Sequence, residues 1–212
     1  MGRASDARDR LMRAVAELIW TGSYGRTTID QICERAGVKK GSFYYFFESK
    51  ADVARLAIES MWQTERGQWQ ELFAATRPPL ERLRAFARDC HARQVDLKRQ
   101  HGHVLGCPLC TLGTEVSTQE SALRETVERI MAEAAGFLEA AIGDAIRQRD
   151  IPAGDAAAKA RILYAYGEGL LTQARIKNDP DVLLELESGM MEILGVQPPK
   201  PQNTAFFSPE FD

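Results

Sequence analysis

Between Thr27 and Lys50 the chain reads TTIDQICERAGVKKGSFYYFFESK, a pattern that fits two short helices joined by a glycine turn. In the first, Ile29, Ile32, Cys33 and Ala36 fall at i, i+3, i+4 and i+7, while Asp30, Gln31, Glu34 and Arg35 take the opposite face. Thr28 followed three residues later by Gln31 is a capping-box pattern, and Gly37 suits the left-handed position just past a helix end. The second helix begins near Lys40 and turns Phe43, Phe46 and Phe47 inward. That leaves Lys39, Lys40, Gly41, Ser42, Tyr44 and Tyr45 outward, and two ammonium groups, a hydroxyl and two phenols suit a groove lined by phosphates.

At these residues the chain resembles the TetR/AcrR family of transcriptional regulators, whose members share T-T-x-x-x-I-A-x-x-A-G-V-S-K-G-T-x-Y-x-x-F-x-S-K with substitutions. Two departures stand out. Cys33 replaces the usual alanine, a small-for-small change in the core, and Lys39 replaces the usual serine, which removes the normal N-cap of the second helix. The resemblance implies a homodimeric regulator, a repressor, that binds a roughly palindromic double-stranded DNA operator with two recognition helices about 34–36 Å apart. It also implies that a ligand or a modification in the body changes that spacing, with the fourth helix as the lever. Thr27, Thr28, Lys39, Tyr44 and Lys50 are placed for phosphate contacts; Lys40, Ser42 and Tyr45 are placed for base reading, with Gly41 allowing close approach. Tyr44 alternatively covers the core with its ring, and Lys50 is alternatively a solvated start to the next helix.

Charge divides along the chain in the same sense. Residues 1–50 hold 9 Lys/Arg and 6 Asp/Glu, whereas the remaining 162 hold 18 and 24, so a basic head sits on an acidic body. No apolar run approaches about 18 residues and no signal core opens the chain, so a cytoplasmic protein that does not enter a membrane is expected. The patterns are helical almost throughout, giving an all-α fold of about nine helices: a helix-turn-helix head over 1–50, a ligand-binding and dimerisation body over 51–195, and a Pro-rich tail over 196–212. The last two helices, about Asp155–Lys177 and Asp181–Leu194, are amphipathic. The resemblance implies that they pair with their copies in a second subunit, against the alternative of ordinary intramolecular packing.

Cys90, His91, His101, His103, Cys107 and Cys110 lie within 21 residues, and three readings fit them. Gly106-Cys107-Pro108 places Cys107 at a helix N-cap, where the dipole and free N–H groups favour a thiolate, so Cys107 and Cys110 would form a redox or electrophile switch. Alternatively, C-x-x-C joins His101 or His103 as a transition-metal site, or these are small packing residues in a connector. In one branch of the resembled family a Gly-Cys pair occurs here, and some of those cysteines are sensors. The sequence otherwise calls for no cofactor, metal or catalytic residue. Trp62, Trp69, Phe73, Phe86, Cys90, Cys107, Cys110, Phe137 and Tyr166 are the candidates for sensing or for lining a pocket, which implies a small hydrophobic or electrophilic effector. The competing class is a thiol–disulfide oxidoreductase using Cys107 and Cys110, which lacks the strand–helix–strand setting of such catalysts.

Overall fold

Helix signals dominate the structure as they dominate the sequence. A computed structural model of the protein describes residues 2–196, which form nine α-helices and no strand. They are α1 (Gly2–Thr21), α2 (Ile29–Ala36), α3 (Lys40–Phe46), α4 (Lys50–Leu72), α5 (Pro79–His101), α6 (Pro108–Val116), α7 (Ser121–Gln148), α8 (Ala156–Lys177) and α9 (Glu185–Leu194). The Pro-rich stretch assigned to the tail lies outside the described residues from 197 onward. Among the described residues, no helix is long and apolar enough to cross a membrane.

The ends of the helices follow from their side chains. At α2, the Gln31 N–H donates to Thr28 Oγ1 (3.2 Å) and the Thr28 N–H donates to Gln31 Oε1 (2.9 Å), a complete capping box. Gly37 then closes the helix at φ +62°, a conformation that favours glycine. Ser49 accepts from the Asp52 N–H (3.1 Å) and starts α4. One expected helix divides in two. The segment from Pro180 to Leu184 is a 3-10 turn, begun by Pro180 and by Asp179 accepting from the Asp181 N–H (3.1 Å), and α geometry takes over only at Glu185.

Two apolar cores hold these elements. The first lies under the head, where Leu11, Val15, Ile32, Phe43 and Phe47 are buried, and it continues through Val53, Ala54 and Ile58 of α4 to Leu112, Val116, Val127 and Ile130 of α6 and α7. A boundary at 50/51 therefore marks a helix cap, while the packing runs straight across it. Each fully buried aliphatic or aromatic side chain contributes about 1.5–3 kcal/mol, so head and body are mechanically joined. The second core packs α5, α7, α8 and α9 around Leu83, Leu138, Ile142, Leu163, Leu186 and Met190. Among the described residues its one deeply buried cation, Arg82, donates to Asp144 Oδ2 (2.5 Å) and to the carbonyls of Arg77 (2.8 Å) and Ala75 (3.2 Å). Those three acceptors fix the α4–α5 turn against α7.

Candidate nucleic-acid interface and effector cavity

The head presents its polar side chains on α3. Lys39, Lys40, Gly41, Tyr44 and Tyr45 are exposed and Ser42 is half-buried, while Phe43 and Phe47 are sealed beneath them and Phe46 is half-buried. Tyr45 is 79% exposed and Tyr44 55%, unusual for aromatic rings with apolar faces to bury. Lys39 occupies the N-cap with no side-chain capping bond. Lys40 pairs with Asp30 (2.8 Å), and that hydrogen bond and the carboxylate charge raise its pKa. Thr28 is exposed as the cap of α2.

Thr27 and Lys50, also expected to contact phosphate, make bonds within the head. Thr27 is buried and donates to the Ser23 carbonyl (2.7 Å). The Lys50 ammonium donates to the Tyr24 carbonyl (2.9 Å) and sits 4.1 Å from the Tyr24 ring centroid, a cation–π contact that ties α4 to the α1–α2 loop. Spacing could not separate these residues from their neighbours, because both stand at helix approaches where the backbone also needs partners.

Within the body, α4, α5, α6 and α8 enclose a cavity of about 100 Å³. Trp62, Trp69, Phe86, Cys90 and Cys107 line it. Phe73 and Phe137 stand behind the wall: Trp69 stacks on Phe73 (5.8 Å between centroids) and meets Phe86 (5.1 Å) and Phe137 (5.8 Å). Tyr166 is misplaced by the sequence reading. It lies outside the cavity and donates to the Glu185 carbonyl (3.3 Å) at the start of α9. Tyr164 lines the cavity instead, with Glu168 one turn on. Two residues along a helix turn the side chain by about 200°, so the phase set by buried Leu163, Gly167, Leu170 and Ala174 was the signal that finds Tyr164. Trp20, Glu65, Arg93 and Gln94 also reach the wall, and no periodicity within their own helices marks them.

Cys107 caps α6 as its sequence suggests, accepting the Cys110 N–H at 3.5 Å with Pro108 in the first turn. Its acidity goes the other way. A hydrogen bond with the Cys110 side chain, burial and the nearby Glu168 charge push the Cys107 thiol well up, outweighing the backbone N–H that lowers it. These groups favour the protonated thiol over the thiolate expected of an N-cap. Burial, followed by the Asp89 charge, pushes Cys90 up to about 12. The histidines stay apart from this group: His101 and His103 are exposed, and His91 Nε2 lies 3.1 Å from Asp181 Oδ1.

Comparison with known proteins resolves what such a head and cavity belong to. The family described as bacterial regulatory proteins, tetR family, matches residues 11–57, and the tetracyclin repressor-like C-terminal domain matches residues 79–189. The chain belongs to the TetR family. Transcriptional regulator AcuR of Cereibacter sphaeroides is 32% identical over 190 residues, covering 85% of this chain and 81% of the relative. A solved regulatory protein TetR from Rhodobacter sphaeroides superposes with a TM-score of 0.78 at 25% identity, over 88% of this chain and 98% of that one. The reduced form of NemR from E. coli superposes equally well, with a TM-score of 0.78 at 22% identity over 91% and 98% of the two chains. The protein is therefore a DNA-binding transcriptional regulator of a non-enzymatic family. Members of this family bind DNA operators and act as dimers.

In this TetR-family regulator the segment 102–107 joins cavity to head. The Trp20 indole N–H, from the last turn of α1, donates to the carbonyls of Leu105 (3.2 Å) and Gly106 (3.3 Å). Buried Gln94 holds Gly106 from both sides, accepting its N–H (2.9 Å) and donating to its carbonyl (3.3 Å). Gly106 sits at φ +66° with the Leu171 carbonyl 3.4 Å from where a Cβ would stand, so a side chain there is disfavoured twice over. Arg175 of α8 donates to the Leu105 carbonyl (3.0 Å), Thr111 Oγ1 (2.6 Å) and the Trp20 carbonyl (3.3 Å).

Proposed function

We propose that this protein is a homodimeric repressor of a palindromic operator and that it releases DNA when a small, mainly apolar molecule occupies the cavity beside Cys107. The observation that carries this reading is Trp20: one side chain from the head both lines the cavity and holds the carbonyls that precede Cys107. A ligand that displaces Trp20 moves the end of α1, and one that spreads Trp62 and Trp69 moves α4, whose first half packs under the head. Such a ligand prefers the displaced arrangement and draws the dimer off DNA by that difference in affinity.

DNA contact falls to Thr28, Lys39, Lys40, Gly41, Ser42, Tyr44 and Tyr45. Dimerisation falls to the last two helices. Ile162, Ala165, Gly169, Thr172 and Ile176 form an exposed stripe along α8, with exposed Leu184 beside them, and small residues within it allow a partner backbone to approach. Covalent modification of Cys107 is a second route to release, supported by its place in the cavity wall; the protonated thiol restricts it to strong electrophiles at neutral pH.

The deciding experiment selects bound sequences from a random DNA pool and then measures release of the enriched site by small apolar compounds and by thiol reagents. Enrichment of a palindrome, with release by a compound that quenches Trp62 or Trp69 fluorescence, supports the reading. Random sequences, or release that persists when the cavity is filled by Ala134→Phe, would sink it.

A further inference from the structure

Cys107 and Cys110 of α6 and Glu168 of α8 bring one ligand atom each within 4.8 Å of one another, and no other group of three potential ligands among the described residues comes this close. All three are partly buried. Glu168 Oε2 is shielded from solvent and has no hydrogen-bond partner among the described residues. The Tyr164 hydroxyl lies beside this carboxylate, but a shielded carboxylate oxygen left short of partners is costly. We propose that Cys107, Cys110 and Glu168 form a binding site for a divalent, thiophilic metal ion of the zinc type, with the cavity supplying the fourth position.

The donor set selects the ion. Two thiolates favour a borderline-soft metal, and a carboxylate beside them favours a divalent one. At Zn–S distances of about 2.3 Å, tetrahedral ligands stand about 3.8 Å apart, so the three atoms need to close by about 1 Å, within reach of side-chain rotation. Binding releases one proton from each thiol to solvent: M²⁺ with two thiols and one carboxylate gives a bis-thiolate carboxylate complex and two H⁺. The fourth ligand, a water or a donor atom of a small molecule, occupies the adjoining cavity. The histidines considered from the sequence take no part, since His101 and His103 are exposed at the far end of α5. Glu168 replaces them, contributed by a helix 58 residues beyond Cys110 in the chain.

This site does not depend on the effector reading, because three protein ligands define it before any small molecule arrives. The test titrates reduced, metal-free, full-length protein with Co(II) under anaerobic conditions. One equivalent per protomer is expected to give thiolate-to-metal charge-transfer absorption and the visible bands of tetrahedral cobalt, with about two protons released and displacement by Zn(II). Cys110→Ser is expected to abolish the charge-transfer intensity of one thiolate, and Glu168→Gln to weaken binding roughly tenfold or more. Helical circular dichroism equal to the wild type qualifies each variant. Absence of the bands at stoichiometric cobalt, or an unchanged affinity in Glu168→Gln, overturns the site. Operator release measured in chelator reports on the effector reading alone, so either can fail without the other.

Discussion

Trp20 carries the most information per residue. Trp20→Phe keeps the ring and removes the N–H that holds Leu105 and Gly106, a net loss of about 1 kcal/mol. Operator binding should survive while effector-driven release is blunted, which fluorescence anisotropy of labelled operator would measure. On the head, Lys39→Ala should weaken binding to all sequences alike and lower the slope of log affinity against log salt by roughly one unit. The thiols predict a pH dependence. The folded chain holds its Cys90 proton more tightly than the unfolded chain, from an ordinary 9.0 to about 12. Stability from this group is therefore complete below pH 9.0 and is lost as pH rises from there toward about 12. Thermal unfolding followed from about pH 8 to about pH 11 should show a shallower decline in Cys90→Ala than in the wild type.

At the scale of the helix, caps and buried pairs set stability. Thr28→Ala opens the capping box of α2 and should cost about 1 kcal/mol in urea unfolding. Arg82→Leu leaves Asp144 with Arg147 as its remaining partner and two carbonyls without their donor, and should cost roughly 2–3 kcal/mol, a larger effect because the guanidinium is buried. The caps explain why the helices were legible in the sequence: Thr28, Gly37, Ser49, Cys107 and Asp155 each act on backbone within four residues of themselves. The exposed lysines and tyrosines of α3 were legible for the same reason, since one short helix has only two faces. The cavity was legible in part. Aromatic residues named it, but its polar wall is assembled by Trp20, Gln94, Tyr164 and Glu168 from three helices far apart in the chain, and convergence of that kind leaves no local period. Thr27 and Lys50 each give a donor to a nearby carbonyl, a use of their side chains that spacing alone does not show.

For the whole molecule, the dimer seam proposed along the exposed stripe of α8 can be tested directly. Ile176→Asp places a charge where a partner helix would exclude water, so sedimentation velocity should show monomers and operator affinity should collapse with them. Arg175, beside that stripe, gives the dimer a further property. Its guanidinium grips the end of α1 and the segment preceding Cys107, while its neighbour Ile176 faces outward. If the dimer seam runs along this stripe, a shift of that segment in one subunit strains the surface that both subunits share. The half-occupied dimer should be an asymmetric species in its own right, with the second effector molecule binding at a different affinity from the first and a calorimetric titration resolving two steps.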